Sequence, residues 1–202
     1  MDIRVERACP GDFDCVWRFY ADVCAAQAAD EYSPDWHLGV YPSRADLEGH
    51  IADGDLYVAV DRERTTSSAG TGITSDATAV GHANHVDGES PILGAMVLTG
   101  REDDDYLAVV WHHKVAPEDV CVLHLLATHP DARGRGVAKA LLSGMVEIAR
   151  SRGKRAIHLD VVMGNLAASR LYEGFGFLSA GTARVHYDDI GDTDLWMYEL
   201  PL

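Results

Sequence analysis

The chain has 202 residues, 47% of them hydrophobic, and sets 17 basic against 32 acidic side chains for a formal net charge of −15. That length and composition suit one domain with a full core and exclude a disordered chain. The acid excess lacks the basic footprint that nucleic acid requires, and no apolar run is long enough to span a bilayer.

The opening MDIRVERACP has no apolar signal core, so a cytoplasmic protein without a membrane partner is expected. The charge mildly favours a cationic small molecule through steering, although solubility alone explains it. Cys9, Cys15, Cys24 and Cys121 show no CxxC pairing and read as free thiols, so no metal is expected.

Ile3 to Arg7 alternates apolar and polar residues, the period of a strand. Pro10-Gly11 makes a turn and Asp12 is placed to cap a helix. Along that helix Phe13, Val16, Trp17, Tyr20, Val23 and Cys24 recur at helical spacing to about Ala29. Tyr32 to Tyr41 is aromatic and punctuated by Pro34 and Gly39. Trp36 and Tyr41 either close the core beneath this loop or line a substrate pocket. Ser43 caps a second helix that turns Leu47 and Ile51 inward and stops at Gly54. Leu56 to Val60 is a strand.

Residues 61–90 are rich in Ser, Thr, Gly and Ala without a sustained period, which predicts a flexible insertion between two strands. His82 and His85 within it read as solvated rather than as metal ligands. Ile92 to Leu98 resumes the sheet and would form a hairpin with the previous strand but for the insertion. Residues 106–111 read as a short helix or strand.

Val120 to Thr128 is an apolar strand that turns at His129-Pro130-Asp131 into Arg133-Gly134-Arg135-Gly136-Val137-Ala138. A helix follows with Val137, Ala138, Leu141, Leu142, Met145, Ile148 and Ala149 on one face, ending at Gly153. A strand that delivers two glycines to the start of a helix is a phosphate-binding device. The first helical turn has free N–H groups and a positive dipole end, and glycine lets the backbone come close to an anion. No Lys-Ser/Thr follows Gly136, which excludes a P-loop, and the third glycine of a dinucleotide fingerprint is missing. Ala156 to Met163 is another strand. Asn165 caps a helix closed by Gly174 and Gly176, and Ala183 to Tyr187 and Leu195 to Leu200 are the last strands. The expected fold class is α/β, a mixed central sheet flanked by helices in one domain over 1–202, without an internal repeat.

The segment from Arg133 to Ala138 resembles the Arg/Gln-x-x-Gly-x-Gly/Ala pattern of the GNAT superfamily of acyl-CoA-dependent N-acetyltransferases. Asn165-Leu166-Ala167-Ala168-Ser169-Arg170-Leu171-Tyr172, followed by Gly174-Phe175-Gly176-Phe177, resembles that family's second signature. The element order also matches the family's usual sheet. The resemblance implies that Arg133, Gly134, Arg135, Gly136, Val137 and Ala138 hold the pyrophosphate of coenzyme A, with Asn165 and Ala168 beside it. It implies that the backbone of Leu126, Ala127 and Thr128 pairs with the pantetheine arm, and that the Leu126 N–H polarises the thioester carbonyl. Thr128 stands where the family usually has a β-branched aliphatic residue, a departure of little weight because the backbone makes the contact.

Tyr172 sits where the family places its general acid; a helix residue packed on the core is the plainer reading of the same side chain. Some members carry a glutamate base where this chain has Val122. His124, two residues on, resembles the histidine that aralkylamine acetyltransferases use, although a satisfied core histidine has equal claim. Strand alternation puts Val122, His124 and Leu126 on one face, and His129 reads as a turn residue.

The implied reaction moves an acetyl group from acetyl-CoA, as co-substrate, to a primary amine of a small molecule by direct attack in a ternary complex. Two alternatives stay open: a protein N-terminal or lysine acetyltransferase, and a non-catalytic acyl-CoA-binding module. A homodimer is also left open. Acceptor contacts are expected from 28–42, 100–118 and 178–195.

Overall fold

The computed structural model describes residues 2–27, 29–30, 36–61, 92–100, 102, 106, 108–187 and 191–202. The expected insertion, with His82 and His85, lies outside the described residues from position 62 on, as do Tyr32 and Pro34.

Local chemistry sets the first elements. Strand β1 is Ile3–Arg7 and helix α1 is Phe13–Gln27, entered through a 3-10 turn at Pro10–Asp12. The Asp12 carboxylate reaches back to the Cys9 N–H at 2.8 Å, because the 3-10 turn moves the true cap to residue 9. The helix ends at Gln27, short of Ala29. Helix α2, Arg44–Asp53, has a reciprocal capping box: Ser43 Oγ accepts the Asp46 N–H at 3.1 Å, and the Asp46 carboxylate accepts the Ser43 N–H at 2.8 Å. Such a cap contributes about 1 kcal/mol. Gly54 closes α2 at φ 74°, a conformation that a side chain resists.

The remaining elements are β2 (Leu56–Asp61), β3 (Gly94–Thr99), β4 (Val120–Thr128), α3 (Val137–Ser151), β5 (Ala156–Val162), α4 (Leu166–Phe175), β6 (Leu178–Tyr187) and β7 (Gly191–Pro201). They build a seven-stranded mixed sheet in the order β1-β2-β3-β4-β5-β7-β6. Strands β2 and β3 are antiparallel neighbours, as their patterns predict. The single parallel pair among the described strands joins β4 to β5. The last two strands run further than alternation alone marks them.

Two faces of the sheet are covered differently. Leu141, Leu142 and Met145 of α3 pack with Cys121, Leu123, Ile157 and Leu159 on one face. Removing one of these leucines to alanine costs on the order of 2–5 kcal/mol. On the other face, Val16, Tyr20 and Val23 of α1 and Leu47 and Ile51 of α2 pack on β2, β3 and part of β4. Further across that second face no helix lies among the described residues. Tyr106, Val109, Trp111 and Val115 of the β3–β4 connection cover Val120, Val122, Leu195 and Met197 instead. Of the short helix or strand expected at 106–111, Tyr106 and Ala108 are 3-10 helical, with the Val109 N–H on the Tyr106 carbonyl. One glycine sets how closely helix and sheet approach. A Cβ on Gly94 would come within 2.7 Å of Val137 Cγ1, so only glycine lets the start of α3 seat against β3.

Candidate active site

The site begins with a fault in β4. Ala95 pairs with Ala127 while Val97 pairs with His124, so β4 spends one extra residue over this span. The extra residue is Leu125, at φ 52°, the non-glycine residue with positive φ among the described residues. Such a backbone costs on the order of 1–3 kcal/mol. It is held by Tyr20 of α1, whose buried hydroxyl donates to the Leu125 carbonyl at 2.9 Å.

The bulge overturns one expectation. Val122 and His124 do share a face, since His124 lies opposite Val97 of the second core. Leu126 does not join them. It packs with the α3 core, while Leu125 and Ala127 take the α1 side.

Just before the bulge, β4 leaves its neighbour. Parallel pairing with β5 runs from Val120↔Ala156 to Val122↔His158 and stops. Strand β4 continues to Thr128 along β3, and β5 continues to Val162 along β7. The two strands thus diverge, and one edge of β4 from Leu123 onward has no strand partner among the described residues. The His129 N–H donates to Leu93 on the β3 side at 2.9 Å. Antiparallel alternation then turns the N–H groups of Leu126 and Thr128 to the open edge.

That edge leads into the glycine loop. Gly134 and Gly136 sit at φ 73° and 82°, and a Cβ on either would meet no protein atom within 4 Å. Glycine is required there by backbone sign and not by packing. The loop does not present every N–H outward: those of Arg133 and Arg135 are spent on Pro130 and Ala132 carbonyls, each at 3.3 Å. The N–H groups of Val137, Ala138 and Lys139, in the first turn of α3, have no preceding helical carbonyl to bond. The Arg133 guanidinium has a partner of its own. It forms a forked pair with Asp30 at 2.9 and 2.7 Å, which holds the Asp30 carboxyl below its usual range, so it is a bridge to the end of α1. Arg135 is exposed. His129 is a turn residue, as expected, its Nδ1 accepting the Asp131 N–H.

Across the divergence stand the ionisable groups. His124, on the second face, is half-buried. Because Val122 is level with His158, the β5 residue level with His124 is Asp160, whose parity puts it on the same face. Asp160 accepts a hydrogen bond from the Tyr106 hydroxyl. Sequence reasoning misses it. A single aspartate in an apolar strand, LDVV, is the available signal.

Tyr172 of α4 is buried against Phe177 and Tyr198, with ring centroids 5.5 and 6.4 Å away. Burial, and then the charge of Asp160, raise its phenol well above the ordinary value. Asn165 Oδ1 is committed to capping α4 through the Ala168 N–H at 3.1 Å, and Ala168 packs on the α3 core.

The aromatic candidates divide. Trp36 packs edge-on against Tyr20, 6.2 Å between centroids, and so closes the core. Tyr41 is 37% exposed, yet near enough to Tyr20 to help raise that phenol after burial has done most of it. Both therefore border the bulge through Tyr20, a residue that sequence marks only as part of a helix face.

Among proteins of known family, the chain is 34% identical over 67 residues to an uncharacterized N-acetyltransferase of Methanocaldococcus jannaschii, covering 33% of this chain and 30% of that protein. It is 33% identical over 85 residues to the [ribosomal protein bS18]-alanine N-acetyltransferase of Escherichia coli, covering 42% of this chain and 57% of that one. The chain thus spans only about a third to a little over half the length of these relatives. Its fold is similar to that of a GNAT-family acetyltransferase of Streptococcus agalactiae, with TM-score 0.71 at 18% identity over 99% of this chain and 95% of the other. It is likewise similar to Arabidopsis thaliana NAA60 in complex with acetyl-CoA, with TM-score 0.65 at 17% identity over the full length of both. The sequence pattern of the acetyltransferase (GNAT) family matches residues 74–177, half of the chain, and the chain belongs to that family.

Proposed function

We propose that the chain transfers the acetyl group of acetyl-CoA to a primary amine by direct attack in a ternary complex. The observation that carries the reading is the unpaired edge of β4 past Val122, which runs straight into the glycine loop at the start of α3. An extended pantetheine arm would add to that edge as a strand does, and the pyrophosphate would meet the N–H groups of the first helical turn. The Leu126 N–H would stabilise the thioester oxygen as it gains charge. His124 and Asp160 are the candidate bases that take the proton from the incoming ammonium, directly or through water. The amine nitrogen then forms the C–N bond and the C–S bond breaks; Tyr172 gives its proton to the departing thiolate, and the second proton that the nitrogen sheds restores the phenol through solvent. We place the reaction in the cytoplasm, in keeping with Cys9, Cys15, Cys24 and Cys121 as free thiols.

The acid excess supports a small cationic amine as acceptor. The likeness to relatives named for acetylating an alanine of a ribosomal protein supports an α-amine at a protein N-terminus. An α-amine titrates near 8 against about 10.4 for lysine, so a histidine or carboxylate base needs to do less. The α-amine is the better supported reading.

The test is a panel of acceptors incubated with acetyl-CoA, read by thiol release and mass spectrometry. It contains peptides with a free N-terminal alanine, N-terminally blocked lysine peptides, and polyamines. Transfer to the free N-terminus is expected. Transfer to polyamines alone would overturn the α-amine reading and keep acetyl transfer, whereas coenzyme binding with no transfer to any amine would point to a binding module.

A further inference from the structure

The second face of β5 and β7 buries more charge than a core needs. His158 is 2% exposed and Glu199 is 0% exposed, and they lie directly opposite each other in the β5–β7 ladder. The β3–β4 connection is fastened to them at several points. One Glu199 carboxylate oxygen accepts the His112 N–H at 2.8 Å, and the other accepts the His113 N–H at 3.3 Å, with the His113 ring also 3.4 Å away. The Glu102 carboxylate pairs with His158 Nδ1. His158 Nε2 faces Glu199 at 3.7 Å without a hydrogen bond.

An aromatic stack rises from this base. The Trp111 ring lies on His158, with centroids 3.6 Å apart and planes 14° apart, and the Tyr106 ring lies against Trp111 at 5.9 Å and 28°. At the top of the stack the Tyr106 hydroxyl donates to Asp160. Tyr106 thus reaches Asp160 through one phenol, while Glu199 holds the backbone N–H groups of His112 and His113 and His158 holds the Glu102 carboxylate.

We propose that Glu199 and His158 are positioning residues, which hold Glu102, Trp111, His112 and His113 on the sheet so that Tyr106 is delivered to Asp160 and fixes that carboxylate in its orientation. Neither acts on substrate. Both act through Trp111 and Tyr106. The proposal rests on the reading of Asp160 as part of the acceptor side. Orienting a base matters because a displacement of about 1 Å in a reacting group can cost two orders of magnitude in rate.

Four proteins test it: wild type, Tyr106→Phe, Glu199→Ala and Glu199→Gln. Each is assayed for kcat and for the KM of acetyl-CoA, and for hydrogen exchange of the peptide containing 112–113. Tyr106→Phe removes the bond to Asp160 and is expected to lower kcat about tenfold while leaving the acetyl-CoA KM nearly unchanged. Glu199→Ala is expected to lower kcat similarly and to speed exchange at His112 and His113. Glu199→Gln keeps one accepting oxygen, enough for the shorter bond from the His112 N–H, and loses the acceptor for His113, so its activity and protection are expected to fall between those of wild type and Glu199→Ala. A folded Glu199→Ala or Tyr106→Phe protein with wild-type kcat would overturn the positioning role. Fast exchange at 112–113 in the wild type would overturn the clamp. Should Glu199→Ala fail to fold, Tyr106→Phe and the wild-type exchange rates decide alone. A wild type inactive on every amine would instead overturn the reading of the site, and with it the task given to Asp160, while exchange still decides the clamp.

Discussion

Tyr172 carries a phenol that burial, with the charge of Asp160, keeps protonated across the working range. In the proposed reaction it would therefore remain a hydrogen-bond donor to the leaving sulfur across that range. Tyr172→Phe keeps the ring contacts with Phe177 and Tyr198 and removes only that donor. It is expected to lower turnover at least about tenfold with little change in acetyl-CoA affinity. Steady-state rates beside a calorimetric titration check this, and an unchanged kcat would reduce Tyr172 to a core residue. The same burial has a consequence for stability. Tyr20 and Tyr172 both titrate higher in the fold than the value near 10 of an unfolded chain. Between the two values the unfolded state has lost protons that the native state keeps, so stability is full below about pH 10 and falls as pH rises past it. Urea midpoints at pH 8 and pH 11 should show the fall, and Tyr172→Phe should flatten it.

At the level of elements, what can be read from sequence is what neighbours in the chain decide. Ser43 and Asp46 cap α2 within three residues of each other, Asn165 caps α4 in the same way, and Gly54 ends α2 by its own backbone. The glycine loop belongs to this class. Gly136 at φ 82° lies against open space, so valine there would strain the backbone without disturbing the core. Gly136→Val is expected to abolish acetyl-CoA binding by calorimetry while the thermal melt stays cooperative, and normal affinity would refute the loop's role. The features that escape sequence are settled at a distance. Leu125 takes its unusual φ because a hydroxyl 105 residues away in α1 holds its carbonyl. The stretch 106–111 has no period to read because Glu199, from the last strand, fixes its neighbours. Asp160 gains its meaning from the divergence of two strands and from Tyr106, neither of which leaves a mark near LDVV. Arg133 reads in sequence as a charge for the coenzyme because its partner Asp30 lies at the far end of α1.

Across the whole molecule, charge and topology act together. With 32 acidic against 17 basic residues the field of the protein attracts cations. For a polycationic acceptor, kcat/KM should fall as salt is raised from about 20 to 200 mM, because the Debye length shrinks through that range. For a neutral-bodied peptide it should barely move, and equal salt dependence for both would rule steering out. The sheet separates its two faces, with α3 and α4 on one and α1, α2, Tyr106 and Trp111 on the other. Strand β4 serves both, and Leu125 makes it count differently on either side of itself. Even positions up to 124 lie on this second face, with Val120 and Val122 under Tyr106 and Trp111; from Leu125 on, odd positions lie on it, under α1. Deleting one residue at the bulge would restore a single parity to the whole strand. Leu126 would then swing from the α3 core to the acceptor side, and its N–H from the open edge toward β3. A one-residue length change at this point would thus be a change of chemistry, whereas a conservative substitution at the same point would leave the parity intact.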